Sequence, residues 1–267
     1  IKGWNSNRFC MKELFLELDR EQETHKGQNG KVGVIAGSRD YTGAPALSAK
    51  AALRTGCDLV KILTSESVSG TVASYSENFI VQDYSGDYFD MQALNQALEL
   101  VEWADSVVIG PGLGEPRAKA VREFLQEADS TLVVDADALE HFGRSSFEDA
   151  VLTPHGGEFE DHVEKILEQL LARDNTVLEK GSADIVYLKD DVREVEVGDP
   201  AMTVGGTGDV LTGIIASLIS QGMHKEDAAE LGAWINGRAG EKAAEDNGNG
   251  MLATDLIDYI PEILKEN

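Results

Sequence analysis

Positive charge is scarce in this sequence. Lys and Arg number 23 against 48 Asp and Glu, a formal net charge of −25. That balance argues against nucleic acid or an anionic membrane surface as the principal partner. Cysteine is nearly absent. Cys10 and Cys57 make neither a disulfide framework nor a metal-ligand spacing, and a reducing cytoplasm is the expected compartment. Long apolar runs are missing too. The longest, around residues 210–219, is too short to cross a bilayer, and the start of the chain carries no secretory signal. The chain opens on Ile1 and not on Met, and is read as part of something longer. Aromatic residues make up only 6%, so the 42% hydrophobic content rests on Ala, Val, Leu and Ile. Such a composition suits helices packed on a parallel sheet. No Pro- or Ser-rich linker, solenoid period or low-complexity tract divides the sequence. One domain is expected over residues 1–267, with residues 1–30 as an N-terminal arm.

The acid that is present is spread along the chain in pairs and triplets, such as residues 19–21, and not held in one tail. Dispersed acid keeps a protein hydrated in concentrated salt, so a halophilic source is the preferred reading beside an ordinary acidic cytoplasmic protein. Any polyphosphate site here must supply its own positive field from backbone donors, a cation and a few lysines.

Within the arm, Phe9, Leu14, Phe15 and Leu18 fall near helical spacing and predict a short amphipathic helix that closes one edge of the domain. KVGVIAGS at 31–38 is a buried-strand pattern. The loop RDYTGAP follows, then a helix rich in small residues between Pro45 and Gly56, then a strand at 58–64. The unit is a βαβ crossover, but no GxGxxG follows its first strand, so the dinucleotide fingerprint is absent. A short strand is expected at 77–81, a polar surface loop at 82–90 and a helix at 91–103. SVVIGPGLG at 106–114, TLVVDADAL at 131–139, VLTPHGGE at 151–158 and TVLEKG at 176–181 repeat the pattern of a strand ending in Gly or polar residues. Pro116 begins another helix. Residues 184–189 and 194–197 read as an antiparallel edge hairpin. Helices are expected at 209–221, 225–244 and 252–264. In a parallel sheet these strand ends share one edge, so their polar residues converge. The architecture predicted is a three-layer α/β/α sandwich on a mostly parallel sheet.

VGGTGDVLTG at 204–213 is the densest functional signal. Gly205, Gly206 and Gly208 leave backbone N–H groups uncovered, and a helix starting here adds free donors and a positive dipole end. Together they form an anion pocket with one carboxylate, Asp209, at its edge. The plainer alternative is an ordinary glycine turn with Asp209 favouring the first helical turn.

Read in order, YTGAP at 41–45, GPGLG at 110–114, DADAL at 135–139, LTPHGGE at 152–158, KG at 180–181 and GGTGDVLTGIIASL at 205–218 resemble the NAD(P)H-hydrate dehydratase family, within the ribokinase-like superfamily. The similarity runs from about residue 30 to 261. The resemblance implies an enzyme that uses ADP, or ATP, to dehydrate the S epimer of hydrated NADH or NADPH back to the reduced cofactor, with AMP and phosphate formed when ADP is consumed. It implies Asp209 as catalytic base, and Ala44, Gly112 or Gly114, His155 and Asp209 as contacts of the hydrated cofactor. It implies Lys180, Gly181, Ser182, Ala183, Asp184 and Gly208 as contacts of the adenine nucleotide, with the N–H groups of Gly206, Thr207 and Gly208 on the transferring phosphoryl group. Glu158 stands where related kinases carry the Glu of an Asn-x-x-Glu motif, as a candidate for holding Mg2+ through water. A homo-oligomer, with a tetramer as a known form among relatives, and an epimerase partner on a separate protein or a preceding domain are further implications.

Alternatives stay open at single positions. His155 is either a ligand or an ordinary loop histidine, Lys180 a phosphate contact or a salt bridge, and Asp135 and Asp137 site groups or helix caps. The sequence departs from the family in three places. Gly156 replaces a proline, the segment between Glu158 and Lys180 is short, and Gly198-Asp199-Pro200 stands where GNP is common. Two competing functions share the glycine motifs: a small-molecule kinase acting on a vitamin precursor or sugar, and a non-catalytic nucleotide sensor.

Overall fold

The computed structural model describes residues 11–16, 18, 23–142 and 147–266. Phe9, Cys10 and residues 19–21 lie outside them. The expected helix of the arm is α1 (Met11–Leu16), whose Leu14 and Phe15 are buried.

Alternation builds the sheet. In β1 (Lys31–Ile35) Val32 and Val34 feed one core while Ile35 feeds the other, and both faces are covered. The run is therefore apolar on both faces, as a buried parallel strand requires. Helix α2 (Ala44–Thr55) leads to β2 (Leu59–Ser65), and the short α3 (Ser69–Ala73) to β3 (Phe79–Tyr84). Then come α4 (Leu94–Trp103), β4 (Ser106–Ile109), α5 (Ala118–Glu127) and β5 (Thr131–Val134). Strand β6 (Ala150–Leu152) feeds a single turn, α6 (Gly156–Glu158), and α7 (Leu167–Leu171) precedes β7 (Thr176–Glu179). The hairpin β8 (Asp184–Tyr187) and β9 (Val192–Val195) follows, then α8 (Thr207–Ser220), α9 (Lys225–Asn247) and α10 (Ala253–Lys265).

The nine strands lie in the order β3-β2-β1-β4-β5-β6-β7-β8-β9. Pairing from β3 through β7 is parallel, and β8 and β9 join antiparallel, as the hairpin pattern predicts. Helices α2, α8, α9 and α10 cover one face, and α4, α5 and α7 the other. The sandwich has the predicted three layers. Chain direction across the sheet reverses between β1 and β4, and the crevice at such a switch point is where open α/β sheets place ligands.

Two helices must come unusually close to set that crevice. A Cβ on Gly213 of α8 would sit 2.1 Å from the Ser48 carbonyl oxygen of α2. The small residues of α2 are what permits this, and a buried Ser48–Thr212 hydroxyl contact of 3.2 Å ties the pair. The same helix is pinned to the sheet where Ser106 Oγ of β4 donates to the Ala216 carbonyl at 2.6 Å.

Boundaries differ from expectation at several elements, β9 among them, which runs Val192–Val195 and not 194–197. Strand β3 runs on to Tyr84, and the stretch 82–90 is no open loop: Tyr84 and Phe89 are fully buried and meet edge to face at 5.9 Å between ring centres. The acidic residues around them conceal two core aromatics. Helices α4 and α5 start a little later than Met91 and Pro116. Helix α8 starts at Thr207, before the apolar run, because Gly206 with φ +100 supplies its cap. That shift places Asp209 inside the first turn.

Replacing Gly213 by Ala should force α2 and α8 apart. Overpacking of this kind costs about 1–3 kcal/mol, whereas Gly70→Ala, whose Cβ meets nothing within 4 Å, should be neutral or slightly stabilising. Thermal melts of the two variants test the contact, and equal melting temperatures would refute it.

Candidate active site

The loop after β1 and the turn after β4 form one half of the site. Gly37 N–H donates to the Pro111 carbonyl at 2.9 Å, and Ser38 and Tyr41 exchange backbone hydrogen bonds of 3.4 and 3.1 Å. Gly112 has φ +61, and a Cβ there would lie 2.6 Å from Tyr41 Cβ and 3.0 Å from Ala44 Cβ. Only glycine lets these loops meet. Gly114, also left-handed, donates its N–H to the Asp137 carboxylate at 2.7 Å. Ala44 and the Gly112–Gly114 turn, distant in sequence, are thus brought together at the switch-point crevice.

The other half is built on the start of α8. The first bond of its ladder runs from Val210 N–H to the Gly206 carbonyl, so the N–H groups of Thr207, Gly208 and Asp209 precede the ladder. They carry the positive end of the helix dipole. The Thr207 hydroxyl is turned inward to the Met202 and Val204 carbonyls at 3.0 and 3.3 Å and fastens the loop. Lys180, at the end of β7, adds a cation. Its Nζ lies 3.2 Å from where a Gly208 Cβ would be, and 2.7 Å from Asp135 Oδ1. Of the two alternatives the sequence left for Lys180, the salt bridge is formed, with Asp135.

Parallel strand ends align His155 with Lys180, whose N–H donates to the Pro154 carbonyl at 2.8 Å. His155 caps α6: Nδ1 accepts from the Gly157 and Glu158 N–H groups at 3.1 and 3.3 Å, while Glu158 Oε2 accepts from the His155 N–H at 2.8 Å. With Nδ1 accepting, the neutral ring carries its proton on Nε2, which is exposed and lies 3.6 Å from Glu158 Oε1. A Cβ on Gly156 finds no atom within 4 Å, so the missing proline costs no packing, and the cap holds the turn instead. Gly181, Ser182, Ala183 and Asp184 form the tight turn into β8. Asp184 accepts from the Gly181 N–H at 3.0 Å, and burial pushes its carboxyl up. Ser182 stands exposed at the tip.

Asp209 lies between the halves. Burial, then the charge of Asp135, pushes its carboxyl up to about 7, against the opposing pull of Lys180; Asp137 adds a smaller push. A carboxylate so tuned is suited to accept a proton near neutral pH. The Asp135 side chain makes no capping bond to the turn it precedes, and Asp137 is engaged with Gly114, so capping by Asp135 is corrected. The Asp135–Lys180 pair escapes sequence reading because its members are 45 positions apart. Their shared place at strand ends along one edge of the sheet was the available signal.

Among the described residues no three His, Cys, Asp or Glu cluster in a metal-holding arrangement. Mg2+ needs only one or two carboxylates beside phosphate oxygens and water. Glu158 Oε2 is engaged in the cap, and its Oε1 lies 3.6 Å from His155 Nε2.

The family described as NAD(P)H-hydrate dehydratase matches residues 32–262. An ADP-dependent (S)-NAD(P)H-hydrate dehydratase of Natrialba magadii is 42% identical over 96% of this chain and 100% of its own length. A bifunctional NAD(P)H-hydrate repair enzyme of Methanothermobacter thermautotrophicus is 39% identical over 92% of this chain, which spans only 51% of that relative. The crystal structure of the ADP/ATP-dependent NAD(P)H-hydrate dehydratase of Bacillus subtilis, co-crystallised with ATP and Mg2+, superposes with a TM-score of 0.79 at 25% identity over 96% of each chain. The fold is ribokinase-like. With the strand-end loops, the glycine cap of α8 and Asp209 all in one crevice, the chain belongs to the NAD(P)H-hydrate dehydratase family.

Proposed function

We propose that this chain restores hydrated NADH or NADPH to the reduced cofactor, consuming ADP and acting on the S epimer. The observation that carries the reading is Asp209: a half-buried carboxylate with its proton affinity near neutrality, at the donor-rich start of α8, between the Lys180 corner and the Ala44–Gly112 crevice. Hydroxide is a poor leaving group and phosphate a good one. Asp209 takes the proton of the ring hydroxyl while that oxygen attacks the terminal phosphorus of ADP, and AMP departs. The ring nitrogen then pushes phosphate out, and loss of a proton from the neighbouring carbon completes the reduced ring. The N–H groups of Thr207 and Gly208 face the charge that develops on the transferring group, a contribution typically of about 3 kcal/mol per donor. The exposed Nε2 of His155 serves as a donor to the hydrated cofactor. The turn 181–184 borders the nucleotide. Glu158 would hold Mg2+ through water, and the ion would supply counter-charge to phosphate oxygens.

Setting follows from the same reading. A homo-oligomer, with a tetramer as the expected form, a cytoplasmic location and an epimerase acting before it to supply the S form belong to this proposal. The dispersed surface acid suits concentrated salt.

Incubation with hydrated NADH, ADP and Mg2+ at low and high salt should return the absorbance of the reduced ring. No recovery at either salt, with phosphorylation of a vitamin precursor instead, would favour a kinase. Asp209→Asn should abolish turnover while ADP still binds in calorimetry; near-normal turnover would remove Asp209 from the role of base.

The raised carboxyl gives two pH predictions. Because the ionised form is the base, kcat/KM should fall as pH drops through about 7. Stability runs oppositely. The folded carboxyl titrates near 7 and the unfolded one near 3.8, so its contribution is present in full below the lower value and is lost as pH rises through the upper. Asp209→Asn should therefore be more stable than wild type at pH 8, by at most roughly 4 kcal/mol. The gain should vanish toward pH 4. Urea melts at the two pH values read the difference.

A further inference from the structure

Strand β5 delivers two carboxylates to opposite halves of the site across one strained residue. Asp135 is 2% exposed, and its Oδ1 meets Lys180 Nζ at 2.7 Å. Its Oδ2 lies 3.8 Å from the position of a Gly208 Cβ, and Lys180 Nζ lies 3.2 Å from the same point. The ion pair therefore rests on the first turn of α8, one residue from Asp209. Asp137 reaches the other way, to the Gly114 N–H. Between them Ala136 has φ +47, a left-handed value that costs a non-glycine residue on the order of 1 kcal/mol or more. The strand end cannot relax outward. A Cβ on Gly110 would meet the Asp135 carbonyl oxygen at 1.8 Å, so the two backbones are already in contact.

The ammonium compensates the buried Asp135 carboxylate. Lys180 keeps part of its side chain in solvent, and the Asp135 carboxylate makes no bond to its own turn. Lysine has a long stem with several free torsions, and fixing it costs rotamer entropy. An ammonium has three donors, and Asp135 Oδ1 engages one, which leaves others for an incoming anion.

Resting on the dehydratase reading, we infer that Asp135 is a positioning residue for phosphoryl transfer: it fixes the Lys180 ammonium against the first turn of α8, so that the transferring phosphate meets a preset cation beside Asp209. The loss of conformational freedom in Lys180 is then taken during folding and not in the transition state, where small misplacements are costly. Asp209 supplies an independent gauge. The charged groups that act on it are Asp135 from β5, Asp137 from the turn after β5 and Lys180 from β7. Removing the Asp135 charge lowers the Asp209 carboxyl, and removing Lys180 raises it.

The test uses the full chain. Asp135→Asn should lower kcat about hundredfold, the scale of a misplaced catalytic group, while ADP affinity by calorimetry changes far less. The acid limb of the rate profile, and the Asp209 carboxyl resonance in a 13C NMR titration, should both move to lower pH. Lys180→Gln should move them to higher pH, and Asp135→Asn added to it should cost little further rate. Asp135→Glu, which keeps the ion pair, should recover part of the rate and serves if the Asn variant does not fold. Wild-type kcat in Asp135→Asn, an unmoved Asp209 titration, or a full additive loss in the double variant would overturn the inference. A wild-type chain inactive on hydrated cofactor would overturn the dehydratase reading instead, so the two failures are distinct.

Discussion

A chain with a net charge of −25 can hold a polyphosphate only where donors locally outnumber carboxylates. That constraint organises the carboxyl edge of this sheet. The field comes from the start of α8, whose left-handed glycine cap frees several N–H groups at once, and from Lys180. Both sources depend on close packing. The α8 dipole points into the crevice because Gly213 lets the helix lie against α2. Lys180 reaches the same point because β7 ends beside β6. The carboxylates present are each restrained: Asp135 by the ammonium, Asp137 by a backbone N–H, and Asp209 by burial that holds its proton near neutrality.

The two halves of the crevice differ in how they are made. The half nearer β1 and β4 is backbone shape, formed by glycines that admit Tyr41 and Ala44 into contact. The half nearer β7 and α8 is electrostatic. Asp209 is the group that faces both. This division matches a reaction with two reactants, in which one surface must fit a ring system and the other must neutralise a charge that grows and then leaves.

Much of this was legible in the sequence. Strands announced themselves because burial on both faces demands uninterrupted apolar runs, and helix α2 because small residues sit between Pro45 and Gly56. The loops that carry the site stood out for their glycines, which positive φ values at Gly112, Gly114 and Gly206 explain. What stayed hidden was pairing across the sheet. Asp135 reads as a site group or a cap, and Lys180 as a phosphate contact or one half of a salt bridge, and neither names the other until β5 and β7 are placed two strands apart. Tyr84 and Phe89 were missed because acidic neighbours outweigh two aromatics in any local average. The start of α8 was set late because Gly-Thr-Gly has poor helix propensity, while its cap needs only one left-handed glycine.

The switch of chain direction between β1 and β4 also dictates an order of assembly. Strand β1 can pair with β2 as soon as both leave the ribosome, but its other edge waits for residues 106–109, and the crevice has no second wall until then. The helix that supplies the anion pocket arrives later still and is pinned to β4 through Ser106. Nucleotide therefore finds nothing to grip on a partly synthesised chain. It can slow the unfolding of the finished protein, but it has no foothold from which to hasten its folding. Until β4 arrives, the open edge of β1 is a place where another nascent strand could pair by mistake.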